Sequence, residues 1–512
     1  MNQYKQFGSK AGQFLDKLKK VAPKGEKNRI LLFIFVYYLA LFAPAWQDSK
    51  LWSDDWAIYW DTRSSGTEVM NATVSNGRPI LGWVLKGAYS SSFLLNHLVI
   101  LQLISIAGIY FLAIAIYIKM RKSQFSLTIS LILVLGVGLL PGFQEYVYFI
   151  SCFIYSWTCL FGFLSYILFT SDKISMKFLG IFLLTLALLI YPVGAMFFFL
   201  AFYIDYLESL NVSMPFFRFL RKVQVNFYGF LLSILLTLLC ALSTSRILGI
   251  DSAARVHFID TFALAQSKLE WILTRLVVSE FRIFSTVSPT PTQAILEFCL
   301  IFIPFSIALL APWRKLDSRK FGEYILIILL PLLGAFPNLV ISENQFEYRT
   351  LTATYSMAFL MWLVSARRII ELARSLKLHG FGIPLLATKP ILLLASLLIV
   401  FQFHQTQIDS NRLWISPSLA RDAITDSTLE NATVLPPAKV CLVIPAGVYS
   451  QNPRMGIYSL KSDLASGWVP DPYIRTKLEM RSINFLGTVE VVKKTDECHI
   501  DDLMFDYSKL AD

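Results

Sequence analysis

Long apolar runs alternate with short polar segments along the chain. The first run, residues 30–46 ("ILLFIFVYYLALFAPAW"), can cross hydrocarbon as a helix, which takes roughly 17–25 apolar residues. Comparable runs follow at 93–118, 125–144, 149–169, 177–190, 192–206, 223–247, 293–312, 323–341, 351–366 and 384–404, and predict eleven transmembrane helices. The fifth and sixth meet at Tyr191–Pro192, where "LLIYPVGAMFFF" reads either as one kinked helix or as two short ones. Before the first run, residues 7–22 put Phe7, Ala11, Phe14, Leu15, Leu18 and Val21 on one helical face, which suits a helix lying on a membrane surface. A flexible basic tail is the plainer alternative. "APA" at 43–45 has the look of a cleavage site, but the basic leader and aromatic flank favour a retained helix.

The polar segments orient these helices. With the N-terminus in the cytoplasm, the inner segments carry Lys5 to Arg29, "KMRK" at 119–122, Lys173 and Lys177, Arg218, Arg221 and Lys222, "WRKLDSRK" at 313–320, and Arg367, Arg368, Arg374 and Lys377. The loops at 145–148 and near 191 carry no Lys or Arg, and 342–350 carries only Arg349. This positive-inside bias places loops 47–92 and 248–292 outside, with everything from 405 onward. Three parts result: a cytoplasmic basic amphipathic segment at 1–28, a membrane domain at 29–404, and an outer soluble domain at 405–512.

Composition closes off other classes. At 55% hydrophobic and 16% charged over 512 residues, with 41 Phe, the chain has too much apolar surface for a soluble fold. The net charge of +11 is topology signal plus attraction to anionic lipid, and calls for no nucleic acid. Cys152, Cys159, Cys240 and Cys299 fall in predicted spans as small apolar residues, whereas Cys441 and Cys498 form a disulfide candidate in the outer tail. No CxxC or His/Cys cluster supports a metal site. In the tail, "KVCLVIP" at 439–445 and "FLGTVEVV" at 485–492 predict strands of a small α/β domain, so the fold class is an all-α polytopic membrane protein carrying a C-terminal α/β domain.

The candidate chemistry lies in the first outer loop. "WSDDWAIYWDTRSSG" sets Asp54 and Asp55 among aromatic residues, and "VSNGRPILGWVLKGAY" at 74–89 predicts a short amphipathic helix with Arg78 at its start and Ile80, Leu81, Trp83, Val84 and Leu85 apolar. That helix is too short to span and is expected to lie along the outer surface. The layout suits sugar transfer from a lipid phosphate carrier, with a carboxylate as general base and cations for the departing phosphate. Neighbours on a helix point about a quarter-turn apart, so the two aspartates take different roles, and the base is assigned to Asp55 with Asp54 orienting. Solvated loop carboxylates that only cap a helix are the plainer alternative.

A long first helix, an acidic pair in the first outer loop and a short surface helix together resemble the GT-C superfamily of membrane glycosyltransferases. "SDDWAIYW" followed by "NGRPILGW" is similar to the Gtr-type glucosyltransferases that decorate bacterial O-antigens. The resemblance covers 30–404 by topology and residues 53–83 by motif, and leaves the tail uncovered. It implies an inverting enzyme of the bacterial inner membrane that uses a polyprenyl-phosphate sugar, usually undecaprenyl-phosphate glucose, on the periplasmic face. Its acceptor would be a glycan such as lipid-linked O-antigen, with a donor synthase and a flippase acting upstream. The acidic pair maps onto Asp54 and Asp55, and the Gly-Arg pair onto Gly77 and Arg78, with Arg78 either on the donor phosphate or bracing the aspartates; no metal or other cofactor is implied.

Other outer-face residues are candidates to complete the site. Arg349 at a span boundary suits a phosphate ligand, and Glu343 and Glu347 share a face if their segment is helical. Glu145 in "PGFQEYVYF" is an acid in an aromatic setting, Arg255 and His257 lie in the loop 248–292, and Tyr191 offers a ring for stacking on a sugar. For each, an interfacial anchor, a cap or a solvated face is the alternative. Two other functions stay open: a transporter or flippase of a lipid-linked glycan, and a glycan polymerase or ligase built on the late outer loop. Functional charges gathered on one face, rather than at the midplane of broken helices, favour the interfacial enzyme.

Overall fold

The computed structural model describes residues 24–47, 49–52, 54–90, 98–211, 216–251, 261–272, 326–327, 329–341, 348–375, 400–408, 416–432, 439–444, 469–483, 485, 487–493, 495–498 and 502–507. Among them, four helical stretches are long and apolar enough to cross a membrane: Leu98–Lys122, Ile150–Phe169, Pro192–Leu210 and Phe217–Leu248. The bent pair Leu127–Gly138 and Pro141–Tyr148 makes a fifth if it counts as one span, and shorter apolar helices run over Asn28–Leu41, Ile174–Ile190, Leu330–Val340 and Thr352–Ser365. The expected span at 293–312 and most of that at 384–404 lie outside the described residues, as does the segment 7–22. Among the described residues, then, four to five of the eleven expected spans have a membrane-length helix.

The elements used below are α1 (Lys24–Leu41), α2 (Asp54–Ser64), α3 (Thr67–Ser75), α4 (Pro79–Tyr89), α5 (Leu98–Lys122), α6 (Leu127–Gly138), α7 (Pro141–Tyr148), α8 (Tyr155–Phe169), α9 (Ile174–Ile190), α10 (Phe197–Asn211) and α11 (Phe216–Leu248). They continue with α12 (Thr352–Ser375), α13 (Ser416–Asn431), β1 (Lys439–Val443), α14 (Pro470–Met480), β2 (Thr488–Val492) and β3 (Leu503–Asp506).

Two X–Pro steps break apolar runs. The expected third span is not one helix, because α6 stops at Gly138 and α7 restarts at Pro141 with a 50° bend. Leu140, with ψ 133°, takes the extended conformation that a following proline enforces, and Pro141 sits where a helix has no use for an N–H. The segment 145–148, expected as a loop, is thus the end of α7, and all eight α7 residues are buried. At the second step Tyr191 is extended (φ −152°, ψ 98°) before Pro192, which separates α9 from the helical segment that follows. The run around Tyr191 is two helices.

Close approach around α6 is set by glycine. A Cβ on Gly138 would sit 2.1 Å from the Tyr38 ring, whose hydroxyl donates to the Val134 carbonyl at 2.6 Å. α1 can pack against α6 at that distance only because the side chain is missing. By contrast α11, 33 residues long, leaves an apolar face with Tyr228, Leu231, Leu235, Leu238 and Leu242 exposed among the described residues. At the basic C-terminal end of α5, Lys119 pairs with Asp205 of α10.

The tail contains a three-stranded parallel sheet in the order β2-β1-β3, with Val440, Leu442 and Phe505 buried. Cys441 on β1 is bonded to Cys498, 57 residues away. Closing a loop of that length stabilises the folded tail by about 4 kcal/mol in the chain-entropy account. The double variant Cys441→Ala/Cys498→Ala is therefore expected to open the tail to protease up to about 10³-fold faster under native conditions, as read by timed proteolysis.

Candidate functional site

The segment expected to be one surface helix at 74–89 is two helices joined by a tight turn. Residues Asn76-Gly77-Arg78 end α3 as a Schellman motif: the Gly77 N–H donates to the Val74 carbonyl (2.9 Å) and the Arg78 N–H to the Thr73 carbonyl (2.8 Å). Gly77 holds φ +72°, which a residue with a Cβ avoids, and Pro79 opens α4 at its first position. The glycine and proline of "GRP" are thus explained by backbone demands alone. Arg78 is not, and its guanidinium lies 5.6 Å from the centre of the Tyr191 ring. The buried Nε of Arg78 meets no acceptor among the described residues.

The aspartates part company. Asp55 is fully buried, and its carboxylate accepts four hydrogen bonds, from the N–H groups of Trp52 (3.1 Å), Ile150 (3.2 Å) and Ser151 (2.8 Å) and from the Tyr89 hydroxyl (2.8 Å). Burial pushes Asp55 up to about 7, against the pull of these donors toward the charged form. One side chain thereby ties α2, α4 and the turn that leads into α8. Asp54 is half-buried, and its charge acts on Tyr89, Cys152 and Tyr155.

Arg349 arrives from far along the chain, in the turn Tyr348–Thr350 before α12. Its carbonyl accepts from the hydroxyls of Tyr146 (2.8 Å), Thr352 (3.1 Å) and Tyr191 (3.3 Å), so its backbone is fixed from three elements. The Tyr191 ring stacks on Tyr155 at 3.9 Å and nearly parallel, and Tyr146 meets both rings edge-on. Arg78, Arg349 and Asp54 all act electrostatically on Tyr155, while Arg349, Asp55, Glu145 and Asp54 act on Cys152. Two cations and three carboxylates from four segments therefore act electrostatically on Tyr155 and Cys152.

Of the sequence candidates, Asp54, Asp55, Arg78, Glu145, Tyr191 and Arg349 meet here, with Glu145 fully buried on α7. Arg255, His257, Glu343 and Glu347 lie outside the described residues. Cys441 and Cys498 form the tail disulfide and take no part in the cluster. Sequence reasoning missed Tyr89, Tyr146, Tyr155 and Cys152. The one signal among these was the position of Tyr146 close after the Pro141 break. Among the described residues no three His, Cys, Asp or Glu side chains converge to hold a metal.

The tail rests on the same helix. Trp56 of α2 meets Tyr473 edge-on at 4.9 Å, and the buried Arg421 guanidinium lies 5.2 Å from the Trp56 ring and 4.6 Å from the Tyr473 ring. Asp422, next to Arg421, loses hydration by burial, but Arg421 and Lys477 more than offset this and hold its carboxyl below the usual range. No protein-family model matches the chain, and no curated protein aligns with it.

Replacing Asp55 by Asn turns an amide N–H₂ toward backbone donors, and each buried donor left unpaired costs about 1–3 kcal/mol. Asp55→Asn is expected to lower the melting temperature clearly and Asp54→Asn to change it far less, as thermal denaturation in micelles would show. A pH dependence follows as well. The folded pKa of about 7 lies above the ordinary 3.8, so the Asp55 contribution to stability is full below about pH 4 and is lost as pH rises to about 7. Wild type is expected to lose stability across that window relative to Asp55→Asn, which stays neutral throughout.

Proposed function

We propose that the chain is an inverting glycosyltransferase of the bacterial inner membrane. It moves a sugar, glucose by the resemblance, from a polyprenyl-phosphate carrier to a surface glycan such as O-antigen on the periplasmic side. The observation that carries this reading is the Arg78 guanidinium 5.6 Å from the centre of the Tyr191 ring, whose hydroxyl donates to the Arg349 carbonyl, with Asp54 acting electrostatically on the neighbouring Tyr155. A carboxylate for the acceptor proton and two guanidiniums for the leaving phosphate are what such a transfer needs.

In the reaction, Asp54 takes the proton of the acceptor hydroxyl as its oxygen attacks the anomeric carbon. The bond from that carbon to the phosphate oxygen breaks, its electron pair leaves with the lipid phosphate, and Arg78 and Arg349 hold the anion. A single displacement inverts the anomeric centre. Asp54 rather than Asp55 is the base in this reading, because four donors already occupy both oxygens of Asp55. Asp55 is instead a positioning residue that sets α2 against α4 and α8. The rings of Tyr155 and Tyr191 are buried and stacked on each other, so Tyr191 packs within the cluster rather than facing a sugar.

One observation favours a second reading, movement of a lipid-linked glycan across the membrane. Transporters bind substrates where helices are broken, and here two X–Pro breaks flank the charged cluster.

The test is sugar transfer from undecaprenyl-phosphate glucose in vesicles holding wild type or variants at matched expression. Asp54→Asn is expected to lower the rate by about 10²–10⁴-fold, and Arg78→Lys and Arg349→Lys to raise the donor KM. Transfer at the wild-type rate by Asp54→Asn would remove the base assignment. A wild type that consumes no donor but moves a labelled lipid-linked glycan across proteoliposomes would install the second reading.

A further inference from the structure

An open groove of about 550 Å³ lies between the outward face of α3 and the C-terminal end of α11. Its walls carry Glu68, Asn71, Ser75 and Asn76 on one side and Asp251 on the other, with no Lys or Arg among its lining residues. The volume falls within the roughly 300–1,000 Å³ of small-molecule sites, and its openness suits a ligand that continues into solvent. Carboxylates accept hydrogen bonds from hydroxyl groups, and amides both donate and accept, so this lining matches a surface of neutral hydroxyls. Two carboxylates repel an anion, and no Lys or Arg among the described lining residues offsets them.

The groove adjoins the charged cluster. Asn76 precedes Arg78 by two residues, which limits their Cα separation to about 8 Å, and the Arg78 N–H is bonded to the Thr73 carbonyl of the helix that forms the groove wall. A chain seated in the groove therefore has one end near Arg78. We infer that this groove binds the acceptor as a short neutral oligosaccharide, Glu68 and Asp251 accepting from its hydroxyls and Asn71 supplying amide contacts. The inference rests on the transferase reading for the word acceptor, but the binding itself does not.

The test uses the purified full chain in detergent on an array of neutral and anionic oligosaccharides, with no lipid donor present. Wild type is expected to be retained on neutral hexose oligomers and not on uronic or sialylated ones. The double variant Glu68→Gln/Asp251→Asn is expected to lose at least tenfold of that signal; both positions are exposed, so folding is spared. Retention on no neutral glycan, equal retention on anionic ones, or an undiminished double variant each overturns the proposal. A failed donor-transfer assay beside intact glycan binding would instead remove the transferase reading and leave the groove standing.

Discussion

Four donors converge on the carboxylate of Asp55, and the site depends on that arrangement. Three of them are backbone N–H groups, from Trp52, Ile150 and Ser151, and the fourth is the Tyr89 hydroxyl. A buried carboxylate is tolerable only when its lone pairs are taken up, and a turn such as 149–152 needs its leading N–H groups capped. Each need meets the other. The result fixes α2 against the start of the α8 segment and the end of α4. Asp61 repeats the device on a smaller scale, accepting from the N–H groups of Glu68 (3.3 Å) and Val69 (2.8 Å) to start α3. Residues 54–89 are thereby built as a set of short helices tied to one another and to the turn at 150–152.

The proline breaks supply the other half of the site. A helix interrupted at membrane depth exposes backbone groups that water cannot satisfy, so neighbouring side chains must do so. Here the breaks at Pro141 and Pro192 place tyrosines that serve a third turn: Tyr146, on the restarted helix, and Tyr191, at the second break, both donate to the Arg349 carbonyl. Their rings meet edge-on, and the Arg78 guanidinium lies 5.6 Å from the centre of the Tyr191 ring. A straight helix through 125–144 would put Glu145 and Tyr146 elsewhere.

How far the sequence reaches depends on which force set each feature. Hydrophobic runs are governed by a local requirement, and the apolar helices at 98–122, 150–169 and 217–248 lie within or close to the expected spans. Arg78, Asp54 and Asp55 stood out because charges beside aromatic surface are costly, and all three belong to the cluster. The division of labour between Asp54 and Asp55 was illegible, since it follows from Ile150 and Ser151, about a hundred residues away. The bend at Leu140 was legible in principle, because Pro141 interrupts an apolar run, but the run's length hid it. Tyr89 and Tyr155 carry no mark in the sequence that separates them from ordinary interfacial aromatics.

Three consecutive residues then have separate duties. Successive residues on a helix point about 100° apart, so Asp54, Asp55 and Trp56 look in three directions. Asp55 is turned to the membrane domain and Trp56 to the tail, where Arg421 and Tyr473 receive it. The Arg63–Glu479 pair joins the same two parts but is a third to two-fifths exposed, so water screens it and it adds at most about 1 kcal/mol. The Arg421 contacts are buried, where a cation over two aromatic rings is worth about 2 kcal/mol or more. The tail thus grips α2 through Trp56 rather than through the visible ion pair. With Asp55 and Trp56 both engaged, the first turn of α2 is held from two sides, and Asp54 rides on it half-buried.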